Sequence, residues 1–116
     1  MKKKILITPK SFISARKKAD EIFNKYPLEI IENNTGKTLT KEQMVELCKD
    51  VDGVIVGLDP MDEEVLMNAQ KLKAISKYGV GLDNLDLKVA EKLGIKISIA
   101  KGANTRSVAE LTVGLF

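Results

Sequence analysis

The chain has 116 residues, which fits one compact domain, and 44% of them are hydrophobic. Its 19 basic and 16 acidic residues leave a net charge of +3, too small to indicate nucleic-acid binding. No apolar run approaches the roughly 20 residues of a membrane span, and no signal peptide is evident, so we expect a cytoplasmic protein without a membrane partner. The absence of histidine and the single cysteine, Cys48, exclude a Cys/His zinc site, an intrachain disulfide and imidazole catalysis within these residues.

Short β-branched runs alternate with segments of helical periodicity along the chain. The predicted strands are Lys4–Thr8, Leu28–Asn33, Val51–Leu58, Leu72–Tyr78 and Ile95–Ala100. The predicted helices are Ser11–Tyr26, Thr40–Lys49, Met61–Gln70, Leu87–Gly94 and a last one from Thr105. This fivefold β-α order predicts an α/β fold, a flavodoxin-like doubly wound parallel sheet with strand order 2-1-3-4-5 and helices on both faces.

Three of the predicted helices carry recognisable start signals. Thr40 and Gln43 have the spacing of a capping box. Asp59, followed by a proline, is predicted to cap the next helix with that proline in its first turn, and Asp86 is predicted to cap the helix after it. Cys48 lies in a helical pattern, where a buried apolar role is expected.

Gly79 and Gly81 lie between the fourth predicted strand and its helix, at the sheet edge where such folds bind ligands. A dinucleotide fingerprint needs a third glycine, but that position holds Asn84, so we reject a phosphate-binding role for this loop. Backbone N–H groups around Val80 can instead form a nest for a carboxylate. A tight connection in which the glycines only relieve crowding is slightly favoured by the residues alone.

Asn104 offers a similar choice between two roles. It precedes the last predicted helix and can cap it, or its amide can bind a substrate carboxylate.

A phosphorelay receiver is a rival of another class, with Asp59 as phosphoacceptor and Lys101 as its lysine. The receiver is disfavoured because Thr8-Pro9-Lys10 stands where it needs two acidic residues for Mg²⁺.

The segments LKAISKYGVGLDNLDLKVAEKLGIKIS and KGANTRSVAELTVGLF resemble the N-terminal substrate (catalytic) domain of the D-isomer-specific 2-hydroxyacid dehydrogenases, in particular the D-3-phosphoglycerate dehydrogenase-like members. The resemblance runs from Lys4 to Phe116 and is specific from about Val54 onward. It implies an NAD- or NADP-dependent oxidoreductase acting on the CH–OH group of a D-2-hydroxy acid. The alternative is a non-catalytic flavodoxin-like module that binds a small carboxylic acid or a partner protein.

The resemblance also implies roles for individual residues. Backbone amides of Val80 and Gly81 would hold the substrate carboxylate, and Asn104 would orient the substrate. The remaining implied contacts are Leu58 and Asp59 at the active-site cleft, and Thr105 and Val108 beside the nicotinamide. Phosphoglycerate dehydrogenases commonly grip the phosphate with an arginine and a serine after the third strand, but this chain has Gly57-Leu58-Asp59-Pro60 there. Phosphoglycerate is therefore a doubtful substrate.

The same resemblance divides the chain into a substrate-binding domain, residues 1–104, and the start of a hinge helix, residues 105–116. The arginine, glutamate and histidine that catalyse in the family belong to a cofactor domain beyond these residues. We therefore expect no catalytic residue, bound cofactor or metal in this chain, and no activity from it alone. Apolar residues from Val108 to Phe116 recur at helical spacing, which predicts a homodimer or other association through that helix.

Overall fold

The computed structural model describes residues 3–14, 17–35, 37–78, 84–100 and 114. Within them lies a five-stranded sheet of order β2-β1-β3-β4-β5 in which every neighbouring pair is parallel. The strands are β1 (Lys3–Ile7), β2 (Leu28–Glu32), β3 (Gly53–Val56), β4 (Ala74–Tyr78) and β5 (Lys96–Ala100). The helices are α1 (Lys10–Ser14), α2 (Lys17–Phe23), α3 (Lys41–Cys48), α4 (Glu63–Asn68) and α5 (Leu87–Lys92). The predicted fold class and strand order are confirmed.

The side chains of the central strands alternate between two hydrophobic clusters, one on each face of the sheet. Ile5 and Ile7 belong to one cluster with Phe12 of α1 and residues of α2, whereas Leu6 belongs to the other, with residues of α3, α4 and α5. Every residue of β3 is buried. Helices therefore cover both faces, as a parallel sheet requires, and only the strand ends remain available for a site.

Several predicted helix boundaries are confirmed and others are wrong. The capping box of Thr40 and Gln43 is present, and the Asp86 side chain accepts a hydrogen bond from the α5 backbone. The helix predicted to reach Tyr26 ends at Phe23, and residues 24–26, which lead to Pro27, are not helical. The last predicted helix lies outside the described residues, except for Gly114, which is helical.

The predicted cap of α4 is also wrong. The N-cap is Asp62, whose carboxylate accepts a hydrogen bond of 3.2 Å from the Val65 N–H, and α4 starts after it rather than at Met61. Asp59 cannot cap this helix because its carboxylate is bound elsewhere. In the described part of the chain, no helix is long and apolar enough to cross a membrane.

Candidate functional site at the carboxyl edge of the sheet

The chain segments that follow β3 and β4 are paired with each other at both ends. The β3–β4 ladder finishes with Val56 beside Lys77. The two segments meet again at an isolated parallel bridge between Met61 and Leu85, where the Met61 N–H donates to the Asn84 carbonyl oxygen at 2.7 Å. The loop 57–60 and the segment 78–84 therefore start and end in contact.

Side chains add a second link between these segments, centred on the Gly57 carbonyl oxygen. This oxygen accepts hydrogen bonds from the Lys77 ammonium and from Nδ2 of Asn84, the latter at 3.0 Å. Nδ2 of Asn84 also donates to the Asp59 carbonyl oxygen at 2.7 Å. Because a carbonyl oxygen has two lone pairs, it can accept from both side chains at once.

Lys77 is buried although it carries a charge, with 1% of its surface exposed. Burial lowers the pKa of its ammonium, while the negative charge of Asp59 acts in the opposite direction and is the smaller effect. A buried ammonium is costly unless it has a hydrogen-bond acceptor, and the Gly57 carbonyl supplies one. Lys77 is therefore held inside the protein and is not displayed at the surface.

The Asp59 carboxylate is the second buried charge of this edge. One of its oxygens accepts a 2.5 Å hydrogen bond from the Thr8 hydroxyl, and the other accepts a 2.6 Å bond from the Leu39 N–H. Only 2% of Asp59 is exposed. With both oxygens engaged, this carboxylate holds three parts of the chain together and has no free face for a ligand.

Gly57 allows the loop after β1 to lie against the loop after β3. A Cβ atom at this position would stand 3.3 Å from Cγ of Pro9, which is tighter than ordinary carbon contacts. The Gly57 N–H also donates to the Thr8 hydroxyl oxygen at 3.3 Å. A side chain at this position would require Pro9 to shift by a few tenths of an ångström.

Leu58 projects from this tightly held loop. Its exposed fraction is 75%, the largest among the exposed large hydrophobic side chains of the described residues. The carbonyl groups on both sides of it, those of Gly57 and Asp59, are held by Asn84. The backbone is therefore fixed while an apolar side chain is presented to solvent at the edge of the sheet.

The described residues include only part of the site predicted from the sequence. Leu58 and Asp59 lie at the expected edge, one exposed and one buried. The other predicted contacts lie outside the described residues: Val80, Gly81, Asn104, Thr105 and Val108. Sequence reasoning missed the roles of Lys77 and Asn84, although a lysine inside the apolar run of β4 was a detectable signal of a buried charge.

The buried position of Asp59 also bears on the receiver alternative. A phosphoacceptor carboxylate must be reached by a phosphodonor, whereas the Asp59 carboxylate is enclosed and bonded to Thr8 and Leu39. Lys101, its partner in that alternative, lies outside the described residues.

Across the described ranges, no three Cys, Asp or Glu side chains come together as a metal-binding group.

Comparisons with known proteins identify relatives that match most of the chain. A family profile described as "D-isomer specific 2-hydroxyacid dehydrogenase, catalytic domain" matches residues 6–113. A D-3-phosphoglycerate dehydrogenase of Methanocaldococcus jannaschii is 41% identical over 88 residues, which cover 75% of this chain and 17% of that protein. A hydroxypyruvate reductase of Thermotoga maritima is 34% identical over 95 residues, covering 81% of this chain and 30% of that protein.

The fold has a matching solved structure, the NAD⁺-bound 3-phosphoglycerate dehydrogenase of Entamoeba histolytica. It superimposes with a TM-score of 0.73 at 33% sequence identity. The match covers 98% of this chain but 38% of the other. The chain therefore spans well under half the length of each of these relatives.

Proposed function

The chain belongs to the family of D-isomer specific 2-hydroxyacid dehydrogenases, and we propose that it forms the substrate-binding part of an NAD-dependent enzyme that oxidises the CH–OH group of a D-2-hydroxy acid. The observation that carries this proposal is the pairing of the segments after β3 and β4 at the carboxyl edge of the sheet. Doubly wound sheets bind their ligands at this edge. The NAD⁺-bound relative supports the choice of cofactor.

The substrate carboxylate binds to backbone N–H groups of Val80 and Gly81, within the segment whose two ends are held against the loop 57–60. Anions are well bound by successive backbone N–H groups when the loop is held in advance. Asn104 contributes an amide that orients the substrate, and Thr105 and Val108 border the nicotinamide. Asp59 acts behind the site, since its carboxylate is engaged by Thr8 and Leu39.

Hydride transfer needs groups that this chain does not supply. Residues 1–104 form the substrate domain, and residues 105–116 start a helix toward a cofactor domain that binds NAD and carries the acid–base group. The small fraction of each relative that the chain covers supports this division. The apolar face of that helix also serves association between copies of the protein.

Leu58 makes a non-phosphorylated 2-oxo acid, such as hydroxypyruvate, the better substrate. A phosphate group is held by cationic side chains and N–H donors, often by a bidentate arginine. Leu58 supplies neither charge nor donor, and its side chain is 75% exposed at the edge of the site. The neighbouring Asp59 carboxylate is buried and adds no cation.

The test is the NADH-dependent reduction of hydroxypyruvate, glyoxylate and phosphohydroxypyruvate by the full-length gene product. We expect kcat/KM to be higher for hydroxypyruvate than for phosphohydroxypyruvate. A preference for the phosphorylated acid would contradict the role of Leu58. If none of the three acids supports NADH oxidation while hydroxypyruvate still binds, the chain is a non-catalytic carboxylate-binding module.

A charge placed at position 58 tests the same assignment from the other direction. Leu58→Arg should raise kcat/KM for phosphohydroxypyruvate, relative to kcat/KM for hydroxypyruvate, about tenfold or more, because a cation then faces the phosphate. Met67→Arg is the matched control, since Met67 is also an exposed apolar residue (59%) but lies on α4. An equal change in both variants would indicate a general effect of charge and not a local contact.

A further inference from the structure

We propose that Lys77 and Asn84 are positioning residues that fix the two ends of the segment 79–83 by binding one shared acceptor, the Gly57 carbonyl oxygen. The inference rests on the proposed function, which assigns the substrate carboxylate to the backbone of that segment. It adds two residues that do not touch the substrate but set the place of the groups that do.

The backbone pairing places both residues beside the loop 57–60. Lys77 is opposite Val56 at the last step of the β3–β4 ladder, and Leu85 is opposite Met61 at the isolated bridge. Between these points the chain after β4 is longer than the loop 57–60. We call the shorter loop, residues 57–60, the template, because it is described throughout and Lys77 and Asn84 both bind it.

Lys77 precedes the segment 79–83, Asn84 follows it, and both side chains bind the loop 57–60. The Lys77 ammonium and Nδ2 of Asn84 both donate to the Gly57 carbonyl oxygen, and Asn84 donates to the Asp59 carbonyl oxygen as well. The template is itself secured, since the Asp59 carboxylate is held by Thr8 and Leu39. A chain of hydrogen bonds thus runs from the loop after β1 to both ends of segment 79–83.

Burial separates this role from direct substrate binding. Lys77 is 1% exposed and its ammonium is bound to a backbone carbonyl, so it is not available as a surface cation for an acid. A bond to a charged donor contributes more than one to a neutral donor. Its loss would leave the Gly57 carbonyl oxygen with one side-chain donor, Nδ2 of Asn84.

The kinetic consequence follows from what the segment binds. A carboxylate is held equally in the ground state and in the transition state, so a misplaced nest weakens both. Loss of such uniform binding raises KM and leaves kcat almost unchanged. A positioning role therefore predicts a KM effect that general destabilisation of the fold does not produce.

The experiment uses the full-length gene product with Lys77→Met and Asn84→Ala. We expect KM for hydroxypyruvate to rise about tenfold, with kcat within about threefold and KM for NADH unchanged. Lys73→Met and Asn68→Ala are the matched controls, since both side chains are exposed and lie away from the Gly57 carbonyl. The double variant should lose less than the product of the single effects, because both residues share one acceptor.

Amide hydrogen exchange supplies a readout that does not depend on activity. Without substrate, the peptide covering residues 79–83 should exchange about tenfold faster in either variant and at the wild-type rate in the controls. Wild-type exchange and wild-type KM in both variants would overturn the proposal, as would faster exchange spread over the whole sheet. If Lys77→Met does not fold, Asn84→Ala decides the result.

The two proposals fail in different ways. If the wild-type protein oxidises no NADH with any 2-oxo acid, the proposed function is wrong, and hydrogen exchange still decides whether Lys77 and Asn84 hold the segment. If the wild-type protein is active but the variants keep its KM and its exchange rates, the proposed function stands and the positioning role is rejected.

Discussion

The Thr8 hydroxyl donates a hydrogen bond of 2.5 Å to the Asp59 carboxylate across a separation of 51 residues in sequence. Thr8 follows β1 and Asp59 follows β3, two strands that are neighbours in the sheet. The Leu39 N–H, just before α3, donates to the other carboxylate oxygen. This single buried carboxylate therefore joins three connections at the edge where we place the substrate.

Removal of this carboxylate should destabilise the protein strongly. Asp59→Ala leaves the Leu39 N–H and the Thr8 hydroxyl without their acceptor in a buried place, and we expect the free energy of unfolding to fall by about 2–4 kcal/mol. Urea unfolding measures this change. Leu58→Ala, next to it but exposed, should change the same quantity by less than about 0.5 kcal/mol. Equal effects of the two substitutions would contradict the network described here.

The capping box of α3 can be tested in the same way. Thr40→Ala removes the side-chain oxygen that accepts the Gln43 N–H at 3.2 Å, and should cost about 1 kcal/mol of unfolding free energy. Thr38→Ala is the matched control, since Thr38 is exposed and precedes the cap. An effect of Thr38→Ala as large as that of Thr40→Ala would refute the assignment of the cap.

Cys48 should be almost unreactive in the folded protein. Burial raises the pKa of its thiol to about 12, and the nearby negative charge of Asp59 adds to the shift. The reactive thiolate is therefore nearly absent at pH 8, and the side chain is also inaccessible. A thiol-specific reagent should label it slowly in buffer and rapidly in urea. Rapid labelling in buffer, at the rate of the unfolded chain, would contradict the buried position.

Asp50 should contribute to stability in a pH-dependent manner. Hydrogen bonds from Lys4 and Lys71, each 2.6 Å long, lower the pKa of its carboxyl from 3.8 to about 2. Because the folded pKa is the lower one, the contribution is present above about pH 4 and is lost as the pH falls towards 2.

The measurement for Asp50 is the urea midpoint of Asp50→Asn and wild type between pH 6 and pH 2. The difference between them should be small, since the pair is exposed, and should shrink as the pH falls through that window. Glu91→Gln removes another exposed carboxyl and serves as the control. A difference that stays constant to pH 2 would exclude the ion pairs as its source.

Local patterns predicted much of this fold because each depends on neighbours in sequence. The alternation of strands and helices determined the parallel sheet and its order, and the spacing of Thr40 and Gln43 identified a real capping box. The dipeptide Asp59-Pro60 carried an equally good local signal for a cap, but the cap is Asp62. A local signal cannot show that a distant group competes for the same carboxylate.

The sequence by itself determined the fold class and, through its motifs, the family, and it predicted the edge of the sheet at which we propose the site. Only the tertiary structure decided which polar side chains are buried there and what they bind. The Asp59 carboxylate binds Thr8 and Leu39, and Lys77 and Asn84 meet at the Gly57 carbonyl oxygen. These partners come from separate strands and loops, and a buried polar group is satisfied by whatever donor or acceptor the fold brings within about 3 Å, which no spacing along the chain encodes.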